Sequence, residues 1–322
     1  MKILVTGGAG FIGSHVVDGL IDAGHDVLVV DNLYTGKRSN VNPSAQFYEL
    51  DIRSPEVKSL IEREKPDIID HHAAQMSVPA SVEDPQFDAD VNIKGVLNLL
   101  EAAVEAHVKK VIFISSGGAI YGETDEYPTS EACRPRPLSP YAITKYGAEH
   151  YLAYYRHQYG LDYTTLRYAN IYGPRQVPHG EAGVVAVFMN NLINGKPSTV
   201  YHFPENDAGM IRDYCYVGDI VAANLLALEK GGGDFFNIGT GVETRTLDLY
   251  STIFDVFTDL TGQRNESLAA PEKAVARPGD LTRSCLIVEK ARRSLGWTPR
   301  VDLKNGIRKT LAWRLNTEEN PL

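Results

Sequence analysis

Only three cysteines occur in 322 residues, Cys133, Cys215 and Cys285, and no two of them have Cys-x-x-Cys spacing. An odd count without paired spacing fits a reducing compartment and inert thiols rather than a disulfide framework. No apolar run approaches the roughly 20 residues that cross a bilayer. A long basic run is also lacking: 41 acidic residues against 32 basic ones give a formal charge of −9. That balance disfavours nucleic acid or an anionic membrane surface as the main partner. A local basic site for a phosphorylated small molecule stays open. Internal repeats and low-complexity tracts are missing. Hydrophobic residues at 43% and charged residues at 23% are ordinary globular usage, which excludes a disordered chain, a collagen or a coiled coil. The length fits about two domains of ordinary size, or one large α/β domain with an appendage. The stretch Lys2–Val17 can be misread as a signal peptide, but its glycines at 7, 8, 10 and 13 suit a strand, turn and helix better. A soluble cytoplasmic protein is expected.

Short β-rich runs alternate with helical spacing through the first half. Residues 3–5, 27–30, 47–50, 68–70, 111–115 and 163–168 read as strands. Residues 12–23, 57–64, 91–106 and 141–159 read as helices. This alternation implies parallel pairing with right-handed crossovers, an α/β doubly wound sheet whose ligand sits at the carboxyl ends of the strands. After Gly173, prolines and glycines break the rhythm into short irregular elements. A strand at 235–238 and a helix at 246–261 follow. The expected division is a Rossmann-type domain of residues 1–172 plus 214–240, and a smaller C-terminal substrate-binding lobe of 173–213 plus 241–322.

The first strand runs into Thr6-Gly7-Gly8-Ala9-Gly10-Phe11-Ile12-Gly13. Glycines at 7, 10 and 13 leave no Cβ where a pyrophosphate approaches the backbone, and the following helix offers free N–H groups. Glycine-rich turns alone are weak signals, but this one follows a first strand and opens a first helix. Asp31 ends the second strand, 18 residues after Gly13. A carboxylate there can accept hydrogen bonds from a ribose diol and would repel a 2′-phosphate, favouring NAD over NADP. Asp51 and Ile52 follow the third strand, either flanking adenine or forming a plain strand-end loop.

Ser139-Pro140-Tyr141 has the form of a helix start, with Ser as N-cap and Pro at the first helical position. Tyr141 and Lys145 share one helical face. The spacing by itself proves nothing in a chain with 17 tyrosines. A lysine near a helix N-terminus, however, opposes the helix dipole. Together the cation and the helix end would lower the Tyr141 pKa and suit it to take a proton from a sugar hydroxyl.

At this point the chain resembles the extended short-chain dehydrogenase/reductases, in their nucleotide-sugar epimerase and dehydratase branch. The resemblance rests on Thr6–Gly13, Asp31-Asn32, His72-Ala73-Ala74, Asn92, Ser115–Gly122, Tyr141–Lys145, Leu166–Arg175, Arg212–Tyr214 with Asp219, Asn237–Gly241 and Arg277–Asp280. It implies an NAD that stays bound while a UDP- or dTDP-sugar is oxidised at C4. For that NAD it implies Gly7, Gly10, Phe11, Ile12, Gly13, Asp31, Asn32, Asp51, Ile52, His72, Ala73, Ala74, Asn92, Ser115, Tyr141, Lys145 and Tyr168. His71 and His72 are expected in the cofactor wall and no metal is expected. For the nucleotide sugar it implies Gly117, Gly118, Tyr141, Asn170 and Val184, Tyr201 against the base, Arg212 and Arg277 as a diphosphate clamp, Asp280 beside it, and Ser284 bordering the sugar C2 substituent. Asp213 and Asp219 read better as structural partners of their loop. A homodimer through 91–106 and 141–159 is also implied.

Three reactions share this scaffold. Related dehydratases carry an Asp-Glu pair, and decarboxylases a Glu, just before the Val-Tyr-Gly that follows the fifth strand. Here the sequence is Ser116-Gly117-Gly118-Ala119-Ile120-Tyr121-Gly122, so neither position carries an acid. Epimerisation at C4 of a UDP-sugar, with UDP-glucose/UDP-galactose first and N-acetylated or glucuronate forms behind, needs no extra base. A non-catalytic NAD-sensing protein is the alternative of another class. The family hydroxyl that assists Tyr141 falls by count at Gly117, and Ser116 is expected to replace it, as a third catalytic group beside Tyr141 and Lys145.

Overall fold

The segment Lys2–Thr6 is apolar at consecutive rather than alternate positions, as expected of a strand covered on both faces. In the computed structural model, which describes residues 1–178, 183–276 and 280–319, Ile3, Leu4 and Val5 are fully buried. The strands, numbered along the chain, are β1 Lys2–Thr6, β2 Asp26–Asp31, β3 Gln46–Glu49, β4 Ile68–His71, β5 Lys110–Ser116, β6 Asp162–Tyr168, β7 Asn170–Tyr172, β8 Thr199–His202, β9 Ile211–Arg212, β10 Tyr214–Tyr216, β11 Asp234–Ile238, β12 Thr244–Arg245 and β13 Glu272–Val275. The helices are α1 Phe11–Asp22, α2 Pro55–Glu64, α3 Val78–Glu83, α4 Pro85–Ala89, α5 Gly95–Glu105, α6 Pro140–Tyr159, α7 Val184–Ile193, α8 Val217–Ala227, α9 Thr246–Thr261, α10 Glu289–Leu295 and α11 Leu303–Glu319.

Seven strands form one parallel sheet in the order β11-β6-β5-β4-β1-β2-β3. This is the doubly wound architecture that the alternating sequence implies. Strand order reverses between β1 and β4, so the glycine turn after β1 lies at the switch point, beside the carboxyl end of β4. On one face α2, α5 and α6 bury Leu60, Ile61, Leu99, Leu100, Ala148 and Leu152. On the other, α1 and α8 bury Val16, Val17, Leu20, Ile220 and Ala223. Each fully buried Leu, Ile or Val side chain contributes about 1.5–3 kcal/mol, which fixes the strand ends that carry the site. A third core joins α7, α9 and α11 through Phe188, Met189, Leu249, Ile253, Ile307 and Leu311. No helix among the described residues is long and apolar enough to cross a membrane.

Three elements differ from the sequence reading. The segment after Gly173 is not wholly irregular, because Val-Val-Ala-Val-Phe-Met in α7 packs as a helix into the third core. The helix expected at 91–106 begins earlier: Asp84 caps Phe87 N at 2.9 Å, Pro85 opens α4, and a π-helical turn at Asp90–Lys94 joins α4 to α5. The chain also returns to the sheet after residue 284. Ala291, Leu295 and Trp297 pack with the α1/α8 core, so a lobe running without interruption from 241 to 322 does not describe this segment.

Candidate active site

Glycine is required in the turn after β1 by contact as well as by conformation. Gly7 has φ +70°, and a Cβ on it would lie 2.6 Å from Ala73 N; a Cβ on Gly13 would lie 2.3 Å from Gly7 O. The bare turn therefore closes against the β4 end, and α1 starts at Phe11 after the N-cap Gly10, with no side chain capping its first N–H groups. Asp31 ends β2 beside this turn. Its Oδ2 accepts from Ala9 N at 2.9 Å and its Oδ1 from Leu33 N at 2.8 Å, while burial pushes its carboxyl up. Asp51 lines the same cleft as Asp31 and is held by its neighbours. The Arg53 fork grips both of its oxygens at 2.9 Å, and Asn32 donates to Oδ2 at 2.9 Å. Those bonds hold its carboxyl well below the ordinary range.

A cleft of about 980 Å³ follows the strand ends. Its walls include Gly7, Gly10, Phe11, Ile12, Gly13, Asp31, Asn32, Asp51, Ile52, His72, Ala73, Ala74, Ser115, Ser116, Tyr141, Lys145, Tyr168 and Asn170. Asn92 is not among them. It is buried under the wall, where its amide group exchanges hydrogen bonds with the Gln75 backbone at 3.0 and 2.9 Å. His71 also turns inward, its Nδ1 2.7 Å from Thr6 Oγ1. His72 faces the cleft with Nε2 2.9 Å from the buried Asp70 carboxylate.

Ser139 caps α6 by accepting from Ala142 N at 3.2 Å, with Pro140 at its first position. Tyr141 and Lys145 therefore share the face that meets the cleft. The Lys145 ammonium donates to Ile114 O at 2.9 Å, and burial brings its pKa down to about 8 against the attraction of Asp88 and Glu149. The expected lowering of the Tyr141 pKa is reversed by the protein's own groups. Burial pushes the phenol up to about 12; the Ser116 hydroxyl beside it works the other way, and Asp88 adds to the rise. Ser115 points away from Tyr141 and donates to Glu149 at 2.5 Å.

Gly117 departs from the expected place beside the sugar. A Cβ there would lie 2.6 Å from Leu286 Cδ1 and 3.0 Å from Arg167 O, so the position faces the interior and not a sugar. Gly118 is different: its Cβ would meet Asn170 Oδ1 at 3.6 Å and Ser284 Oγ at 4.0 Å, ordinary contacts that gather three expected substrate positions. Val184 opens α7 and packs on the third core, while its neighbour Gly183 lines the cleft. Tyr201 lies on β8, partly buried. Arg212 donates to Ile211 O at 2.8 Å and Leu281 O at 2.9 Å, and Asp280 attracts it. Arg277 lies outside the described residues. Asp213 and Asp219 are structural, accepting from Thr240 and Gly241 and from Arg300 and Val301 respectively.

Comparison with known proteins agrees with this geometry. Residues 3–239 match the model of the NAD dependent epimerase/dehydratase family. A UDP-glucose 4-epimerase of Mycolicibacterium smegmatis is 44% identical over 325 residues, covering 99% of this chain and 100% of the relative. The chain belongs to the NAD-dependent epimerase/dehydratase family. Two solved members superpose closely. The Thermotoga maritima UDP-glucose 4-epimerase with UDP-glucose is 47% identical with a TM-score of 0.92, covering 99% and 100% of the two chains. The Thermus thermophilus UDP-glucose 4-epimerase with NAD is 46% identical with a TM-score of 0.88, covering 98% and 99%.

Within this family site, sequence reasoning gave several groups no role, although Arg167 and Arg175 lie in the Leu166–Arg175 motif. Asp88 is a fully buried carboxylate near the Tyr141–Lys145 face; only its spacing of four from Asn92 hints that both share a helical side. Glu149 and Arg167 form a buried pair at 2.5 Å behind Ser115. Arg175 has φ +64°, lines the cleft and pairs with Asp18 on α1 at 2.8 Å.

Proposed function

We propose that this chain interconverts UDP-glucose and UDP-galactose at C4, with NAD held in the cleft. The observation that carries the reading is the meeting of Tyr141, Ser116 and Lys145 at the cleft wall, with no acid at Gly118 or Ala119. The glycine turn fits a dinucleotide pyrophosphate, since a Cβ at Gly7 or Gly13 would collide with backbone. Asp31 fits the adenosine ribose, and Ile12, Ala73, Lys145 and Tyr168 line the remainder. NAD in this place supplies the acceptor and donor of the C4 hydride. The full-length likeness to epimerases with UDP-glucose and with NAD supports both ligands.

The residues divide the proton work. Tyr141 accepts the C4 hydroxyl proton as the sugar is oxidised and returns it after the 4-keto sugar has turned. Ser116 bridges the phenol to the sugar oxygen, while the Lys145 ammonium makes a phenolate less costly. Asn170, Gly118 and Ser284 border the sugar, and Arg212 with Arg277 takes the diphosphate, for which guanidinium forks are suited. Elimination toward a 4-keto-6-deoxy product needs an acid near C5 and C6. Gly118 and Ala119 supply none, so the dehydratase reading is the weaker one.

A panel of UDP- and dTDP-sugars, with products resolved by NMR, tests the reading; no turnover of UDP-galactose would overturn it. Ser284 adds an expected result on sugar size. UDP-N-acetylglucosamine should be handled within a few tens of fold of UDP-glucose in kcat/KM, since one accommodated group shifts specificity by about 1–3 kcal/mol. Ser284→Tyr should suppress the N-acetyl sugar selectively. Equal loss on both sugars would remove Ser284 from the pocket.

We also propose a homodimer through α6 and α5. Ile143, Tyr151, Tyr154 and Tyr159 leave exposed apolar surface on α6, of the kind that a second copy covers. A monomer at micromolar concentration in analytical ultracentrifugation would overturn this.

A further inference from the structure

One buried carboxylate close to the reacting groups is left unused by the roles given above. Asp88 on α4 is completely buried. Its Oδ2 accepts from the Thr144 hydroxyl at 2.7 Å. Its Oδ1 accepts from the Gln75 amide at 2.8 Å and the Asn92 amide at 3.1 Å. All three donors are neutral, and a buried charge is costly unless a counter-charge or full hydrogen bonding offsets it. The donors come from three places that matter. Gln75 belongs to the cleft wall. Asn92 reaches it from the π-helical turn, a kind of helix irregularity that concentrates at functional sites. Thr144 stands directly before Lys145 and also donates to Tyr141 O at 3.0 Å.

The charges around Lys145 show which one is unbalanced. Glu149, one turn further along α6, is matched by Arg167 of β6 and bonded by Ser115 of β5. His71 of β4 is kept neutral, its pKa driven well down by burial and by Lys145 itself. His72, just after β4, is beside Asp70. Phe113 of β5 presents its ring 5.1 Å from the ammonium, and Ile114 O accepts from it. Asp88 is the remaining acid facing this lysine, and its attraction is the largest opposing burial.

We propose that Asp88 is a positioning residue that keeps the Lys145 ammonium charged and holds the Tyr141–Lys145 turn, through Thr144, against the cleft wall at Gln75. The proposal rests on the proton-transfer roles assigned above to Tyr141 and Lys145. The sign of its effect follows from charge. Without the carboxylate, Lys145 gives up its proton at lower pH, so the alkaline limb of the rate profile moves toward acid.

Asp88→Asn, which keeps shape and removes charge, carries the test. Two readouts are taken across pH on the NAD-loaded protein: kcat for UDP-galactose, and competitive reductive methylation of Lys145 read by peptide mass spectrometry. The expected result is a kcat lower by about tenfold above neutrality and a KM within about threefold of wild type. The rate limb and the Lys145 labelling midpoint should both move down by about half a pH unit or more, and Asp88→Glu should move both back. Midpoints that superpose on wild type overturn the proposal. If Asp88→Asn does not fold, Thr144→Val answers the same question by removing one donor while keeping the charge. It should lower Tm and leave the limb in place; a displaced limb would mean that packing, not charge, sets it. A wild-type protein inactive on every UDP-sugar would defeat the epimerase reading alone, because the labelling comparison still decides the role of Asp88.

Discussion

Tyr141→Phe is expected to cut kcat by about 10²–10⁴-fold, the ordinary worth of a positioned proton acceptor, while the purified variant keeps its NAD. The ring remains to line the cleft, and no bond that positions the glycine turn or Asp31 involves the phenol. KM for UDP-galactose should therefore change little, a pattern that marks an interaction made chiefly in the transition state. Ser116→Ala, assayed beside it, should lose less, because water can enter the space of a small hydroxyl. The phenol gives this prediction its force. Burial within the protein holds it neutral up to about 12, so proton abstraction at neutral pH requires that bound cofactor and Lys145 make the phenolate accessible. A Tyr141→Phe enzyme with full turnover would remove Tyr141 from the chemistry. Loss of NAD from the variant would show that the hydroxyl serves to hold the cofactor.

What the sequence made legible was set by backbone and pattern. The consecutive apolar runs of β1 and β2, the glycines at 7 and 13 and the Ser-Pro start of α6 act locally, and a local rule reads them. Functions that depend on which side chain meets which were less accessible. Asp51 lines the cleft, but the grip of Arg53, two residues on, on both its oxygens is not visible in the sequence pattern. Asn92 lies in a motif, yet the π-helical turn directs it at Gln75 under the wall instead of into the cleft. Gly117 matched a family hydroxyl by count, but the strand end turns that position onto Leu286 and leaves Ser116 facing Tyr141. Asp88 was invisible because a buried acid and an exposed one look alike in a helix. Only the fold brings Thr144, Gln75 and Asn92 around it.

Lys145→Met is expected to abolish turnover to within about 10³-fold of background and yet to stabilise the NAD-free protein. Lys145 is 4% exposed, and its folded pKa of about 8 lies below the ordinary 10.5. The unfolded chain therefore binds more protons between those two values, and stability rises with pH across that window. Below about pH 8 the whole cost of the buried charge is carried. A displacement of this size corresponds to roughly 3 kcal/mol. Methionine removes that cost, fills much of the same volume, and forfeits the bond to Ile114 O, worth about 1 kcal/mol. The net gain near neutral pH is about 2 kcal/mol, read as a higher urea midpoint with an unchanged slope. Well above pH 10.5 the wild-type lysine is neutral in both states, so the difference should vanish or reverse. A variant less stable than wild type at neutral pH would mean that Asp88 and Glu149 more than offset burial. In that case the ammonium would be a structural counter-ion and not a strained catalytic group.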